Sequence, residues 1–271
     1  MKVNAAAFRR SHVATDADAE LASLVFVLDM QETAHAVPRL RDWAMDRLAP
    51  APGETAVDVG CGTGTEVRRF AGLVGQIGRA VGVEPHEGLR AVAEERSAGT
   101  TAQYLDGDAT ALPFDDGTVD VLRCERVWQH LDDPEQAARE VARVLAPGGR
   151  AAILDSDWAT WIANPADPEF WRRFNDAFCA RMANPFAGRL VRGQLWAAGL
   201  TVDDDVGSAA LVMPDDVVRN PALFRASAAL AIEEGVLTED EVEVQERVMV
   251  EAVERGDAFL SVTMYAFIGR R

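Results

Sequence analysis

Cysteine is scarce in this chain. The three cysteines, Cys61, Cys124 and Cys179, are an odd number, and no two of them lie close together in the sequence. A disulfide framework needs an even set, and a structural zinc site needs pairs of the CxxC kind. The sequence therefore predicts neither and favours a reducing compartment. It also shows no carboxylate set for a divalent metal, so we expect a site without a metal ion.

Basic residues are also few. Lysine and arginine together number 27 against 44 aspartates and glutamates, which gives a formal net charge of -17. A surface of that sign repels phosphate backbones and anionic lipid. We therefore expect a small-molecule substrate, no nucleic-acid or membrane partner, and a monomer or homodimer.

Long apolar runs are absent. Residues 1–18 are polar and lack the apolar core of a signal peptide, and no stretch approaches the length of a membrane span. These features predict a cytoplasmic protein. Because no linker rich in proline, glycine or serine divides the chain, residues 1–271 are predicted to form a single domain.

The apolar pattern changes period along the chain. Helical spacing predicts an N-terminal helical cap over 16–50. Strands and helices then alternate through a core at 54–213, which is typical of a parallel sheet covered by helices on both faces. A helical lid insertion at 214–256 precedes a last strand at 259–268. The predicted strands are Thr55–Val59, Ala80–Glu84, Ala102–Leu105, Val119–Cys124, Arg150–Leu154, Gly207–Met213 and Phe259–Ile268.

Three glycines at alternate positions follow the first predicted strand. Gly60, Gly62 and Gly64 leave room for a ligand against the backbone, and the helix that follows offers free N–H groups. A dinucleotide-binding turn would place a glycine at the sixth position, where this chain has Thr65. A tight turn without a ligand is the other alternative.

Further elements follow this loop in order. Glu84 ends the second strand about twenty residues after the loop, where an acid accepts both hydroxyls of a bound ribose. Asp108 lies in a loop after the third strand. The run 120–131 contains most of the fourth strand, and the run 143–150 contains the end of the helix that follows it. With the run Val57 to Glu66, these elements resemble class I (Rossmann-like) S-adenosylmethionine (SAM)-dependent methyltransferases. The resemblance is to the ubiquinone/menaquinone-biosynthesis-like branch, which acts on small molecules.

The resemblance implies the fold and the cofactor. The fold would be a Rossmann-like three-layer α/β sandwich with a mostly parallel seven-stranded sheet, its last strand antiparallel. SAM would be the cofactor and S-adenosylhomocysteine (SAH) the product, with Gln31 and Arg39 or Arg41 near the methionine end. The implied cofactor-binding residues are Asp58, Gly60, Cys61, Gly62, Gly64, Glu84, Pro85, Asp108, Ala109 and Glu125.

The same resemblance suggests two catalytic residues. His130 would be the base that removes a proton from the acceptor, and Asp155 would assist it. A packing role for His130 and a loop-holding role for Asp155 are the alternatives. Trp128, Trp158, Trp161 and Trp171 are expected either to bind a planar or cationic substrate or to pack in the core.

The predicted function is methyl transfer from SAM to oxygen, nitrogen or carbon of a small molecule, with oxygen slightly favoured. Secondary or quinone-like metabolism is the expected context. A cyclase or another non-methylating enzyme that binds SAM on the same fold is the alternative, because the glycine loop does not separate the two.

Overall fold

The computed structural model describes residues 17–32 and 36–271, so residues 16 and 33–35 of the predicted cap lie outside it. The helices within these residues are α1 (Ala17–Glu32), α2 (Ala36–Leu48), α3 (Thr65–Val74), α4 (Glu87–Arg96), α5 (Pro134–Val144), α6 (Pro168–Cys179), α7 (Ala187–Ala197), α8 (Asp215–Val218), α9 (Pro221–Glu233) and α10 (Glu239–Arg255), with a 3-10 turn at Trp128–His130. None of them is long and apolar enough to cross a membrane.

The strands form one mixed sheet. They are β1 (Thr55–Val59), β2 (Arg79–Val83), β3 (Ala102–Leu105), β4 (Val119–Glu125), β5 (Leu145–Asn164), β6 (Thr201–Val202), β7 (Gly207–Val212) and β8 (Phe259–Arg270). The order is β3-β2-β1-β4-β5-β8, and both β6 and β7 pair with the far edge of β8. Strands β1 to β5 are parallel and β8 runs antiparallel to β5. The predicted fold class is confirmed, although the described residues form eight strands and not seven, because the edge next to β8 is divided between β6 and β7.

The sheet is buried on both faces. One face carries apolar residues of β1, β2, β4 and β5 against α5 and α7, and the other packs against α2 and α3. A third cluster joins α6, α9 and α10 to the last part of β5. The chain leaves β1 toward β2 and β3 and returns to β4 on the other side of β1, which creates the crevice where ligands of such sheets bind.

Strand β5 is much longer than predicted. The sequence predicts Arg150–Leu154, whereas the strand extends over Leu145–Asn164. The long last strand is the cause, since β8 pairs with β5 as far as Asn164, with a register shift between Asp157 and Ile162. Pairing partners distant in sequence decide a strand's length, and the apolar pattern around Arg150 does not contain that information.

Candidate active site

A large cavity opens at the carboxyl ends of β1, β2 and β4. Its volume is about 1160 Å³. Helices α1 and α2 contribute to one side of the wall, and α9 contributes to another. Ten of the twelve residues predicted for the site line it: Asp58, Gly60, Cys61, Gly62, Glu84, Pro85, Asp108, Ala109, Glu125 and His130. Gly64 and Asp155 are not part of this wall.

The glycine loop has the backbone shape that the sequence predicts. Gly60, Gly62 and Gly64 have φ angles of 67°, 51° and 79°, in the left-handed region that favours glycine. Gly64 differs from the other two because it faces β3: a Cβ there would lie 2.2 Å from the hydroxyl of Tyr104. Its role in the structure is to begin α3 close to that side chain, and it does not face the cavity.

Glu84 is fixed by backbone donors at the end of β2. Its Oε2 accepts from the N–H of Gly62 at 3.0 Å, and its Oε1 accepts from the N–H of His86 at 3.0 Å. The residue is buried, and burial raises the pKa of its carboxyl group. Since each carboxylate oxygen has a second lone pair, both can also accept from a ligand.

Asp108 and Ala109 lie further along the same wall. The Oδ1 of Asp108 accepts from the N–H of Thr110 at 2.8 Å and from its hydroxyl at 2.6 Å. This turn exposes Asp108 and buries Ala109. Asp108 thus presents a polar side chain and Ala109 a small apolar one.

A buried ion pair crosses from β1 to β4. Asp58 and Arg123 are register partners on the two strands, and Nη1 of Arg123 donates to Oδ1 of Asp58 at 2.8 Å. Arg123 also donates to Glu125, two residues along β4. Burial, opposed by Arg123, raises the pKa of Asp58 to about 6. Arg123 was not among the residues predicted for the site. A charged residue inside an otherwise apolar strand was the feature of the sequence that could have indicated it.

Two more guanidinium groups converge on Glu125. Arg41 of α2 donates from Nε and Nη2 to the two oxygens of Glu125 at 2.8 and 2.9 Å, and Nη2 of Arg126 lies 2.8 Å from Oε1. Burial alone would raise the pKa of Glu125, but the guanidinium groups of Arg126, Arg123 and Arg41 hold it well below its ordinary value. Glu66 at the start of α3 lies 3.8 Å from Arg41.

Two of the three residues predicted near the methionine end of SAM line the cavity. Gln31 and Arg41 line the cavity, whereas Arg39 is exposed on α2 and does not.

His130 ends the 3-10 turn after β4 and faces the cavity. Its Nε2 lies 3.1 Å from Nε2 of Gln129, whose Oε1 accepts from the indole N–H of Trp158 at 2.7 Å. Gln129 and Trp158 also line the cavity. Sequence reasoning missed Gln129, because an amide beside a histidine carries no recognisable pattern.

Asp155 lies behind this turn. It is 1% exposed, and its carboxylate accepts from the backbone N–H groups of Gln129 at 3.2 Å and Ser156 at 2.7 Å. Burial raises its pKa to about 7. These contacts are those of a residue that anchors the turn, which is the alternative that the sequence left open.

The four tryptophans have different surroundings. Trp158 lines the cavity, while Trp128 is fully buried in the core under the sheet. Trp161 and Trp171 pack edge-on, with ring centroids 5.6 Å apart. Only Trp158 is therefore placed to contact a substrate.

Comparisons with known proteins agree with this geometry. The family model described as a methyltransferase domain matches residues 57–153. The match runs from within β1 to within β5, so it covers the glycine loop, Glu84 and Asp108. The class I methyltransferase resemblance seen in the sequence is confirmed.

Two of the relatives have methyltransferase names that refer to quinones. The chain is 40% identical over 116 residues to a 2-phytyl-1,4-naphtoquinone methyltransferase of Thermosynechococcus vestitus, covering 42% of this chain and 52% of that protein. It is 34% identical over 148 residues to the ubiquinone/menaquinone biosynthesis C-methyltransferase UbiE of Roseobacter denitrificans, covering 53% and 58%. The chain thus spans about half the length of these relatives.

The fold also recurs among solved structures. A geranyl diphosphate methyltransferase in complex with SAM has a TM-score of 0.54 and 19% sequence identity, covering 95% of this chain and 92% of that one. At that identity the likeness concerns the fold alone.

Proposed function

We propose that this chain transfers the methyl group of SAM to a small-molecule acceptor. The observation that carries the proposal is the cavity of about 1160 Å³, which joins the glycine loop, Glu84 and Asp108 to a second half lined by Trp158 and Phe178. Pockets for one drug-sized ligand measure roughly 300–1,000 Å³. The cavity therefore has room for a cofactor and an acceptor side by side.

The polar groups of the first half fit an adenosine. Glu84 has a lone pair left on each oxygen for the two ribose hydroxyls, because each oxygen accepts only one backbone N–H. Asp108 and Ala109 line the wall beyond it. The carboxylate of Asp108 would accept from the adenine amino group, and the side chain of Ala109 would pack on the base.

The charged groups between the two halves fit the methionine part. SAM brings a sulfonium whose methyl group is the electrophile, together with an ammonium and a carboxylate. The carboxylates of Asp58 and Glu125 line this region and would face the cations, while Arg41 would face the carboxylate. Holding the donor in one orientation is the main contribution that a protein makes to such a displacement.

The second half would hold the acceptor. Its wall combines the rings of Trp158 and Phe178 with Leu223 and Leu230 of α9, and His130 lies on the same wall. A planar, largely apolar acceptor such as a quinol-like or other aromatic compound fits this lining, and the names of the relatives support it. We favour oxygen as the atom methylated. The cyclase alternative is not favoured, because the quinone-related relatives are named as methyltransferases.

The first experiment is calorimetric titration with SAM, SAH and NAD. We expect the wild-type protein to bind SAM and SAH and not NAD. Glu84→Gln removes the charge that the ribose hydroxyls contact, which costs about 1.5–3 kcal/mol, or roughly 10- to 100-fold in affinity. Glu87→Gln is the matched control, since Glu87 is exposed three residues further on and does not line the cavity.

Either of two results would overturn the proposal: no binding of SAM or SAH by the wild-type protein, or equal weakening by both variants. Formation of SAH together with a methylated product then separates methyl transfer from cofactor binding without turnover.

A further inference from the structure

The side chains of Trp158, Gln129 and His130, beside the acceptor half of the cavity, are joined by hydrogen bonds. In each bond the donor and the acceptor can be identified. The indole N–H of Trp158 donates to Oε1 of Gln129 at 2.7 Å. The amide nitrogen of Gln129 lies 3.1 Å from Nε2 of His130 and 3.4 Å from the carbonyl oxygen of Arg126.

The orientation of the Gln129 amide follows from its neighbours. An indole nitrogen only donates, so the amide atom that faces Trp158 must be the oxygen. A backbone carbonyl only accepts, so the atom that faces Arg126 must be the NH2 group. Both neighbours require the same orientation, and the NH2 group has a second hydrogen to donate to His130.

This orientation determines the state of the imidazole. Because Gln129 donates to Nε2 of His130, that nitrogen must carry a lone pair, and the ring proton must be on Nδ1. A proton on Nε2 would bring two N–H groups together. We propose that Gln129 is a positioning residue that holds His130 as the neutral Nδ1–H tautomer, so that the ring donates a hydrogen bond and does not act as the base.

The consequence for catalysis rests on the function proposed above. A general base needs a ring lone pair directed at the proton that it removes. In this arrangement the only lone pair of the neutral ring is occupied by Gln129. His130 would therefore not take up the acceptor's proton. An acceptor hydroxyl would instead be ionised before methyl transfer, with its proton released to water.

Other charged groups lie near the turn or line the same cavity. Asp155 lies behind the turn, where it accepts from the backbone of Gln129. The charged or titratable residues that line this half of the cavity are Arg126, Asp132, Asp133, Arg181 and Glu233. Their charges do not change the polarity of the bond from Gln129.

The test is nitrogen NMR of the histidine rings in the full-length protein at about pH 7.5, near neutrality, where the imidazole state is in question. The chain has 4 histidines, and a His130→Asn variant assigns the signal. We expect a protonated Nδ1 and an unprotonated Nε2 in the wild-type protein. An Nε2–H tautomer or an imidazolium would overturn the proposal.

Two variants test Gln129 itself. In Gln129→Glu both carboxylate oxygens accept, so we expect the proton to move to Nε2 and the titration midpoint of the ring to rise by about one pH unit or more. In Trp158→Phe only the longer contact with the Arg126 carbonyl, at 3.4 Å, still orients the amide, so some Nε2–H tautomer should appear. Trp161→Phe is the matched control, because Trp161 lies in the same aromatic cluster and its indole nitrogen has no hydrogen-bond partner among the described residues. A Gln129→Glu spectrum identical to that of the wild-type protein would also overturn the proposal.

These measurements need no acceptor and no SAM. If the protein does not bind SAM, the proposed function is wrong but the tautomer assignment is unaffected. If His130 has another tautomer, methyl transfer is still supported and His130 is again a candidate base.

Discussion

Arg123 is the residue whose removal should have the largest effect on stability. It is 3% exposed in the middle of β4, donates to Asp58 at 2.8 Å and to Glu125, and lies 4.0 Å from Glu66. Replacing it with leucine would leave buried carboxylates without their common counterion. Breaking a buried pair in this way costs about 3–5 kcal/mol, a large share of the roughly 5–15 kcal/mol that stabilises a typical domain.

The loss should depend on pH in a defined direction. Without Arg123 the folded-state pKa of Asp58, already raised to about 6 by burial, should rise further above its unfolded value. When the pKa of a carboxyl group is higher in the folded than in the unfolded state, its ionisation at higher pH destabilises the folded state. Protonation at lower pH removes this penalty. The difference between Arg123→Leu and the wild-type protein should therefore shrink as pH falls, by about 1.4 kcal/mol per unit for one proton.

The assay is urea unfolding of both proteins at about pH 8.5 and about pH 6, which brackets the pKa of the buried carboxyl group. Arg172→Leu serves as the control, because Arg172 pairs with Glu169 and Asp176 on the exposed face of α6 and should change stability little at either pH. If Arg123→Leu unfolds entirely at the higher pH, Arg123→Lys retains the charge and should restore folding. A loss below about 1 kcal/mol, or an equal loss at both pH values, would refute the assignment of a shared counterion.

Two further predictions concern Gly64 and Asp155. Gly64→Ala should lower stability by more than the roughly 1–3 kcal/mol of backbone strain alone, because its Cβ would meet Tyr104. Gly256→Ala, in the same left-handed conformation (φ 75°, ψ 23°, against φ 79°, ψ 18° at Gly64) with open space around it, isolates the strain, so equal losses in thermal unfolding would contradict the clash. Since the folded pKa of Asp155 is about 7, above its unfolded value, wild-type stability should fall as pH rises toward 7. Asp155→Asn should therefore gain about 3 kcal/mol relative to the wild-type protein between about pH 5 and 7, and parallel pH dependences in urea unfolding would contradict this.

The sequence was sufficient for the elements that local pattern determines. The strand Thr55–Val59 and the strand Ala102–Leu105 have the predicted bounds, because each is a short apolar run closed by turn residues. The loop at Gly60 and Gly62 was found for a similar reason: left-handed backbone beside a cavity favours glycine.

Features that depend on register were not predictable. In the sequence, Arg123 is one charged residue in a predicted strand. The pairing of β1 with β4 is what shows that Asp58 lies opposite it. Arg41 joins the same cluster from α2, 84 positions from Glu125 in the chain. Contacts over such separations require the fold, and no spacing rule along the chain gives them.

The segment at the end of β4 connects the two halves of the cavity through one strained residue. Arg126 has a φ of 56°, a conformation that costs a non-glycine residue about 1–3 kcal/mol and persists only where surrounding contacts require it. Its N–H donates to Leu154 on β5 at 2.9 Å, and its guanidinium lies 2.8 Å from Glu125. Its carbonyl accepts from the Gln129 amide that also contacts His130. The charge cluster proposed to hold the methionine end and the hydrogen bonds proposed to hold the imidazole therefore share one backbone conformation, so a change that relaxes Arg126 disturbs donor and acceptor positions together.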